Sequence, residues 1–173
     1  IGILPPRFSM EKYFERVDRR NNNETCVVFV HGVLGHYRET WGDFPYLLAQ
    51  DAELNHCDWI CWGYPSNLQV PKFSSIPFLG NRMPSLSSVS ESLCADLKNP
   101  QIGGSYKNLI LVGHSMGGLV LMKMIISALT QAEEDVILLD RIRYVVLYAT
   151  PSDGVQLPNI FMTIRCFIVN LPR

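Results

Sequence analysis

The chain has 173 residues, a net charge of −1, 18% charged residues and 47% hydrophobic residues. This length suits one domain with a substantial core, and the composition excludes a disordered or fibrous chain. The near-neutral balance gives no electrostatic reason to expect nucleic acid or an anionic membrane as partner.

No apolar run reaches the roughly 18 residues needed to span a bilayer. The first residue is Ile1, so a leader removed upstream would leave no trace here. The five cysteines, Cys26, Cys57, Cys61, Cys94 and Cys166, are an odd and scattered set. His56-Cys57 with Cys61 superficially suggests a metal site, but no second cluster completes four ligands, so no metal and no cofactor is expected. The cysteines read as small apolar residues in or near strands, and they favour an intracellular setting. Asn23-Glu24-Thr25 is a glycosylation sequon without other signs of secretion.

In chain order, a short helix is predicted around Glu11 to Val17, within an N-terminal extension of residues 1–25. A polar loop, Arg19 to Glu24, follows. Cys26-Val27-Val28-Phe29-Val30 is apolar throughout, as suits a strand covered on both faces of a parallel sheet. Trp59 to Trp62, Leu109 to Val112 and Tyr144 to Tyr148 read the same way. Helices are predicted between them. Phe44 to Gln50 has Asp43 as N-cap and Pro45 in its first turn. Ser85 to Leu97 carries Val89, Leu93 and Leu97 at four-residue spacing and stops at Asn99-Pro100. The third helix runs from about Met116 to Leu129. This alternation predicts an α/β/α sandwich around a mostly parallel sheet, occupying residues 26–173. Residues 63–84 hold four prolines and several apolar residues. That is too long for an ordinary connection, and both a lid and a surface excursion fit it.

The chemistry concentrates at Gly113-His114-Ser115-Met116-Gly117-Gly118, between a buried strand and an apolar helix. This is G-x-S-x-G in the strand–turn–helix context of a nucleophile elbow, which lifts the serine hydroxyl above the sheet. Glycine is expected at 113 and 117 because side chains there would clash. The helix that begins at Met116 directs free N–H groups and its positive end toward a developing oxyanion. His31-Gly32-Val33-Leu34-Gly35 follows the first strand of the run. The N–H of Val33, with that of Met116, is the expected oxyanion hole, and such a donor contributes roughly 3–4 kcal/mol. His31 is expected to hold this loop, not to act as base. Both motifs fall at the C-terminal ends of strands, the edge where open α/β sheets bind ligands.

These motifs resemble the lipase/esterase-like members of the α/β-hydrolase superfamily. The resemblance runs from about Cys26 to Gln156 and includes Glu39-Thr40-Trp41, Gly63-Tyr64-Pro65 and Ala149-Thr150-Pro151. It implies that the second strand lies beside the first, followed by the third and the fourth. It also implies a serine hydrolase acting on a small-molecule acyl ester, lipid esters included, through an acyl-enzyme on Ser115. A non-catalytic interaction domain, and an acyltransferase or amidase with the same machinery, stand as alternatives.

The superfamily's chain order is serine, acid, histidine. Here His31, His36, His56 and His114 all precede Ser115. His114 is expected to point away from the hydroxyl, because neighbours on a strand face opposite sides. His36 and His56 read as solvated. Asp153 is the one candidate acid in the chain. Glu133-Glu134-Asp135 and Asp140 read as solvated residues near a helix end. Truncation is the expected account, with the histidine and acid beyond Arg173. The stretch Leu157 to Leu171 would then be apolar and helical, and Tyr144–Tyr148 would be left as an open sheet edge.

Overall fold

A computed structural model describes residues 13–17, 23–54, 56–66, 84–130, 133–151 and 166–170. Its elements are β1 (Tyr13–Val17), β2 (Thr25–Val30), α1 (Phe44–Gln50), β3 (Cys57–Gly63), α2 (Leu86–Lys98), β4 (Asn108–His114), α3 (Met116–Thr130), α4 (Glu133–Arg141), β5 (Ile142–Tyr148) and β6 (Cys166–Asn170). They form one six-stranded sheet in the order β1-β3-β2-β4-β5-β6. The central four strands are parallel, in the order the resemblance implied. β1 and β6 run antiparallel along the two edges.

The apolar runs divide their residues between the sheet's two faces. Cys26, Val28 and Val30 pack with Leu93 and Leu97 of α2 and with Val120, Leu121 and Met124 of α3. Val27 and Phe29 join Trp59, Cys61 and Val112 on the other face, against Tyr37, Trp41 and Leu48. Side chains alternate along a strand, so a strand with helices on both sides needs apolar residues at every position. Each fully buried leucine stabilises the fold by about 1.5–3 kcal/mol relative to exposure. β5 departs from this reading, because Tyr144 and Tyr148 remain exposed.

Helix boundaries follow local chemistry. Ser85 caps α2 by accepting from the Ser88 N–H, and Asn99 ends it. Asp43 stands at the N-cap of α1 but makes no capping bond, since its backbone is already helical.

Four expectations change. Residues 13–17 are a strand, not part of a helix, because the free edge of β3 offers a ladder that pairs Tyr13 with Gly63 and Val17 with Trp59. Such tertiary pairing overrides weak local preference. Cys166–Asn170 is likewise a strand, where β-branched and aromatic residues suit the pleat. It pairs antiparallel with β5, so the edge at Tyr144–Tyr148 is covered. Finally, Asp135 lies within α4 and is buried. Its carboxylate accepts from Lys98 Nζ at 2.6 Å and from Cys94 Sγ at 3.7 Å, tying α4 to α2. Asp140 is exposed, as expected.

Buried polar groups anchor the sheet's N-terminal end. Asp58 accepts from Asn23 Nδ2 and from the Tyr106 hydroxyl, both at 2.8 Å. The sequon asparagine is thus engaged by a buried carboxylate. Arg141 donates to the carbonyls of Leu97, Tyr106 and Gly103, fastening the end of α4 to the turns that follow α2.

The hydrogen bond from Lys98 holds the Asp135 carboxyl below its ordinary range. A depressed carboxyl contributes stability above its unfolded pKa, and that stability is lost as pH falls through the folded value. Acid titration of stability should therefore show a component that Lys98→Met removes. It should stay under about 1 kcal/mol, because the Lys98 side chain is 37% exposed. Urea melts of both proteins at neutral and acid pH measure it.

Candidate functional site

Two turns meet at the C-terminal edge of the parallel strands. One leaves β2 as His31–Gly35; the other joins β4 to α3 through Ser115. They touch at Gly32, where an added Cβ would lie 2.7 Å from Ser115 Cβ. Among the described residues the non-glycines with positive φ are Leu34 (58°), Ser115 (53°) and Ala149 (46°). They follow β2, β4 and β5 respectively. Left-handed backbone costs a non-glycine residue about 1 kcal/mol or more and persists only where its surroundings impose it. At Ser115 those surroundings are two backbone bonds. Its N–H donates to Tyr148 O at 2.8 Å, and its carbonyl accepts from the Gly118 N–H at 3.1 Å.

The glycines permit close approach rather than unusual dihedrals. A Cβ on Gly117 would fall 2.1 Å from Val30 O and 2.6 Å from His31 O. Glycine at 117 thus lets α3 start directly on the end of β2, a contact between elements that the sequence could not display. A Cβ on Gly113 would meet the Gly118 backbone at 2.6 Å, and one on Gly118 would strike Thr150 Oγ1. Thr150, in the turn after β5, is therefore packed beneath the start of α3.

Met116 is the first residue of α3, so its N–H has no intrahelical acceptor. Among the described residues no acceptor engages that N–H or that of Val33. Met116 adjoins Ser115 in the chain, and Val33 follows Gly32, whose added Cβ would lie against Ser115 Cβ.

The histidines take different positions. His31 is 1% exposed, and burial lowers its pKa. Its Nε2 accepts from the Tyr64 N–H at 3.2 Å, which leaves Nδ1–H to donate to Gly32 O at 2.9 Å. Only the neutral Nδ1–H tautomer satisfies both bonds, so His31 holds the loop and has no free nitrogen for a substrate. His114 is half-buried with its ring edge-on to Trp41, and burial lowers its pKa too. Its Nδ1 has no partner, and no hydrogen bond joins it to Ser115, among the described residues. His36 accepts from the Arg38 N–H through Nδ1. His56 is exposed before β3, at the opposite end of the sheet. Asp153 and residues 67–83 of the lid candidate lie outside the described residues.

Among the described residues no cluster of three potential metal ligands occurs, and no helix is long and apolar enough to cross a membrane. Cys26, Cys57 and Cys61 are buried in strands and Cys94 is half-buried on α2, and none of the four forms a disulfide among the described residues. A cavity of about 280 Å³ lies between α1 and β3, lined by Arg38, Tyr46, Trp59 and Cys61 among others, and Ser115 is not part of its wall.

Sequence reasoning assigned no role to Tyr64 or Ser66. Tyr64 stacks on His31 with ring centres 4.6 Å apart and donates through its hydroxyl to His31 O at 3.0 Å. The Ser66 hydroxyl donates to Gly35 O at 2.8 Å, and Ser66 O accepts from the Leu34 N–H at 3.2 Å. Their only signal was Gly63-Tyr64-Pro65 after a strand.

The parallel sheet and the profile of the alpha/beta hydrolase family, which matches residues 27–169, establish that this chain belongs to that family. It is similar to the protein SERAC1 of Mus musculus, 27% identical over 155 residues that cover 80% of this chain and 23% of that one. The chain thus spans about a quarter of that relative's length. Among solved structures it is similar to a lipase-esterase related protein from Clostridium acetobutylicum, at 16% identity and a TM-score of 0.48, covering 80% of this chain and 46% of that one. It is also similar to an inhibited esterase B from Lactobacillus rhamnosis, at 18% identity and a TM-score of 0.43, covering 77% and 41%.

The contact at Gly117 gives a sharp contrast with Gly42, which has φ +49° and open space around it. Gly117→Ala should destabilise by about 3 kcal/mol or more, since backbone carbonyls cannot yield to the methyl. Gly42→Ala should cost only about 1 kcal/mol of backbone strain. Chemical denaturation of the two variants checks the difference.

Proposed function

We propose that this chain carries the nucleophile and oxyanion hole of a serine hydrolase acting on carboxylic esters. The observation that carries the reading is Ser115 itself. It is held at φ 53° between a buried strand and the N-terminus of a helix, with Gly32 against its Cβ. These features support reading the turn as a nucleophile elbow, and membership of a hydrolase family agrees with it.

In this reading Ser115 Oγ attacks the ester carbonyl while an imidazole accepts its proton. The carbonyl oxygen becomes an oxyanion and takes hydrogen bonds from the Val33 and Met116 N–H groups, which have no other acceptor among the described residues. The tetrahedral intermediate then collapses, the alkoxide leaves with the proton from the imidazole, and water hydrolyses the acyl-enzyme. None of the four imidazoles in this chain supports that role: His31 is committed to its loop, and His36, His56 and His114 make no bond to Ser115 among the described residues. That same observation is what favours the second reading, a non-catalytic interaction domain. Retained backbone strain at Ser115 weighs against it, because a scaffold gains nothing from a serine held in a costly conformation.

A fluorophosphonate probe separates the two. In the full-length protein it should label Ser115 covalently, and Ser115→Ala should abolish labelling and lower ester turnover by roughly 10⁴-fold or more. Labelling that persists in Ser115→Ala would remove Ser115 from the reaction. A full-length protein neither labelled nor active on p-nitrophenyl esters would point to the interaction domain.

A further inference from the structure

We infer that Tyr64 and Ser66, in the turn that leaves β3, are positioning residues that aim the Val33 N–H. The inference rests on the oxyanion role of Val33 in the esterase reading.

The Val33 N–H and the Gly32 carbonyl belong to one planar trans peptide, so fixing the oxygen fixes the direction of the N–H. Two donors hold that oxygen: His31 Nδ1–H at 2.9 Å and the Gly35 N–H at 3.1 Å. Each donor is in turn held from β3's turn. On the first side, the Tyr64 N–H occupies His31 Nε2 and so selects the Nδ1–H tautomer, while the Tyr64 ring lies parallel to the imidazole, 6° apart in plane. The Tyr64 hydroxyl fixes the preceding carbonyl, His31 O. On the second side, the Ser66 hydroxyl holds Gly35 O and the Ser66 carbonyl holds the Leu34 N–H.

The second arm acts on a strained segment. Leu34 has φ 58° and is 65% exposed, so its own packing does little to stabilise the left-handed turn. The bonds from Ser66 do. Without them Leu34 is free to return to negative φ, which moves Gly35 and releases one of the two donors on Gly32 O. Tyr64 and Ser66 are both buried, at 6% and 2% exposure, and neither is a triad or oxyanion-hole residue. They act on the reaction only through the loop.

An aimed N–H matters to the transition state and little to the bound ester, because the donor is directed at charge that appears only during attack. The test is kinetics on the full-length protein carrying Tyr64→Leu, Tyr64→Phe, Ser66→Ala and the double variant Tyr64→Leu/Ser66→Ala. Steady-state turnover of a p-nitrophenyl ester, the fluorophosphonate inactivation rate and the melting temperature are measured for each. Tyr64→Leu should lower kcat roughly 10- to 100-fold and Ser66→Ala roughly 5- to 10-fold, with KM within about twofold. Tyr64→Phe, which keeps the stacked ring, should recover most of the Tyr64→Leu loss. The double variant should fall short of the product of the single effects, since both arms end on the same carbonyl oxygen. Unchanged kcat in folded Tyr64→Leu and Ser66→Ala overturns the inference. A kcat loss that follows falling melting temperature, or that comes with an equal rise in KM, overturns it too, by reducing the residues to structural ones. Should Tyr64→Leu fail to fold, Ser66→Ala decides by the same criteria. Failure of the esterase reading looks different: turnover or labelling would then survive Ser115→Ala, or both would already be absent from the unsubstituted full-length protein.

Discussion

The start of α3 rests on the end of β2 with no side chain between them. A Cβ at Gly117 would sit 2.1 Å from Val30 O, inside any permissible contact, so the backbone of one element is packed directly on that of another. Much of the site's geometry depends on this approach. It brings the β4–α3 turn down onto the loop after β2, so that Gly32 meets Ser115. It also holds the residue before Val33 against the residue before Met116, the two whose N–H groups have no acceptor among the described residues. A methyl group at 117 would push the helix start outward from β2 and disturb the contact between Gly32 and Ser115.

The molecule divides its polar chemistry between the two ends of the sheet. At the N-terminal end, Asp58 and Arg141 have their polar atoms satisfied by side chains and carbonyls around them. Such satisfied groups rigidify the base of the sheet without leaving anything to react. At the C-terminal end the pattern reverses. Three non-glycine residues hold left-handed backbone there, and two backbone donors are left without acceptors among the described residues. Strain and unmet donors are costly in a packed domain, and their shared location on the ligand-binding edge of an α/β sheet is what a preorganised site requires.

His31 illustrates how burial assigns a role to a titratable group. A histidine beside a candidate nucleophile invites a general-base assignment, yet its ring is enclosed, kept neutral by desolvation and bonded at both nitrogens. The Tyr64 hydroxyl behaves in a parallel way. Burial pushes its pKa up, so it stays protonated and serves as a donor to His31 O. Both groups therefore contribute geometry and not proton transfer.

Periodicity and punctuation in the chain determined a good deal. Uniformly apolar runs named the four central strands, because a strand between two helical layers needs apolar residues on both faces. The serine between two glycines at a strand–helix junction, and the histidine-glycine turn, marked the candidate site because those turns tolerate few residue types. Their bounds agree with β2, β3, β4 and β5 and with the start of α3. What only the tertiary structure decided is everything set by a distant partner. Residues 13–17 became a strand because the free edge of β3 offered a ladder, and 166–170, though locally suited to a strand, found its partner only in β5. Asp135 turned inward because Lys98, 37 positions away, lies across from it. Gly117 is required by the carbonyls of Val30 and His31, and Tyr64 and Ser66 gained a role only when the turn after β3 folded against the loop after β2. Local pattern reports what a segment can bury; which groups it then meets is decided by the path of the whole chain.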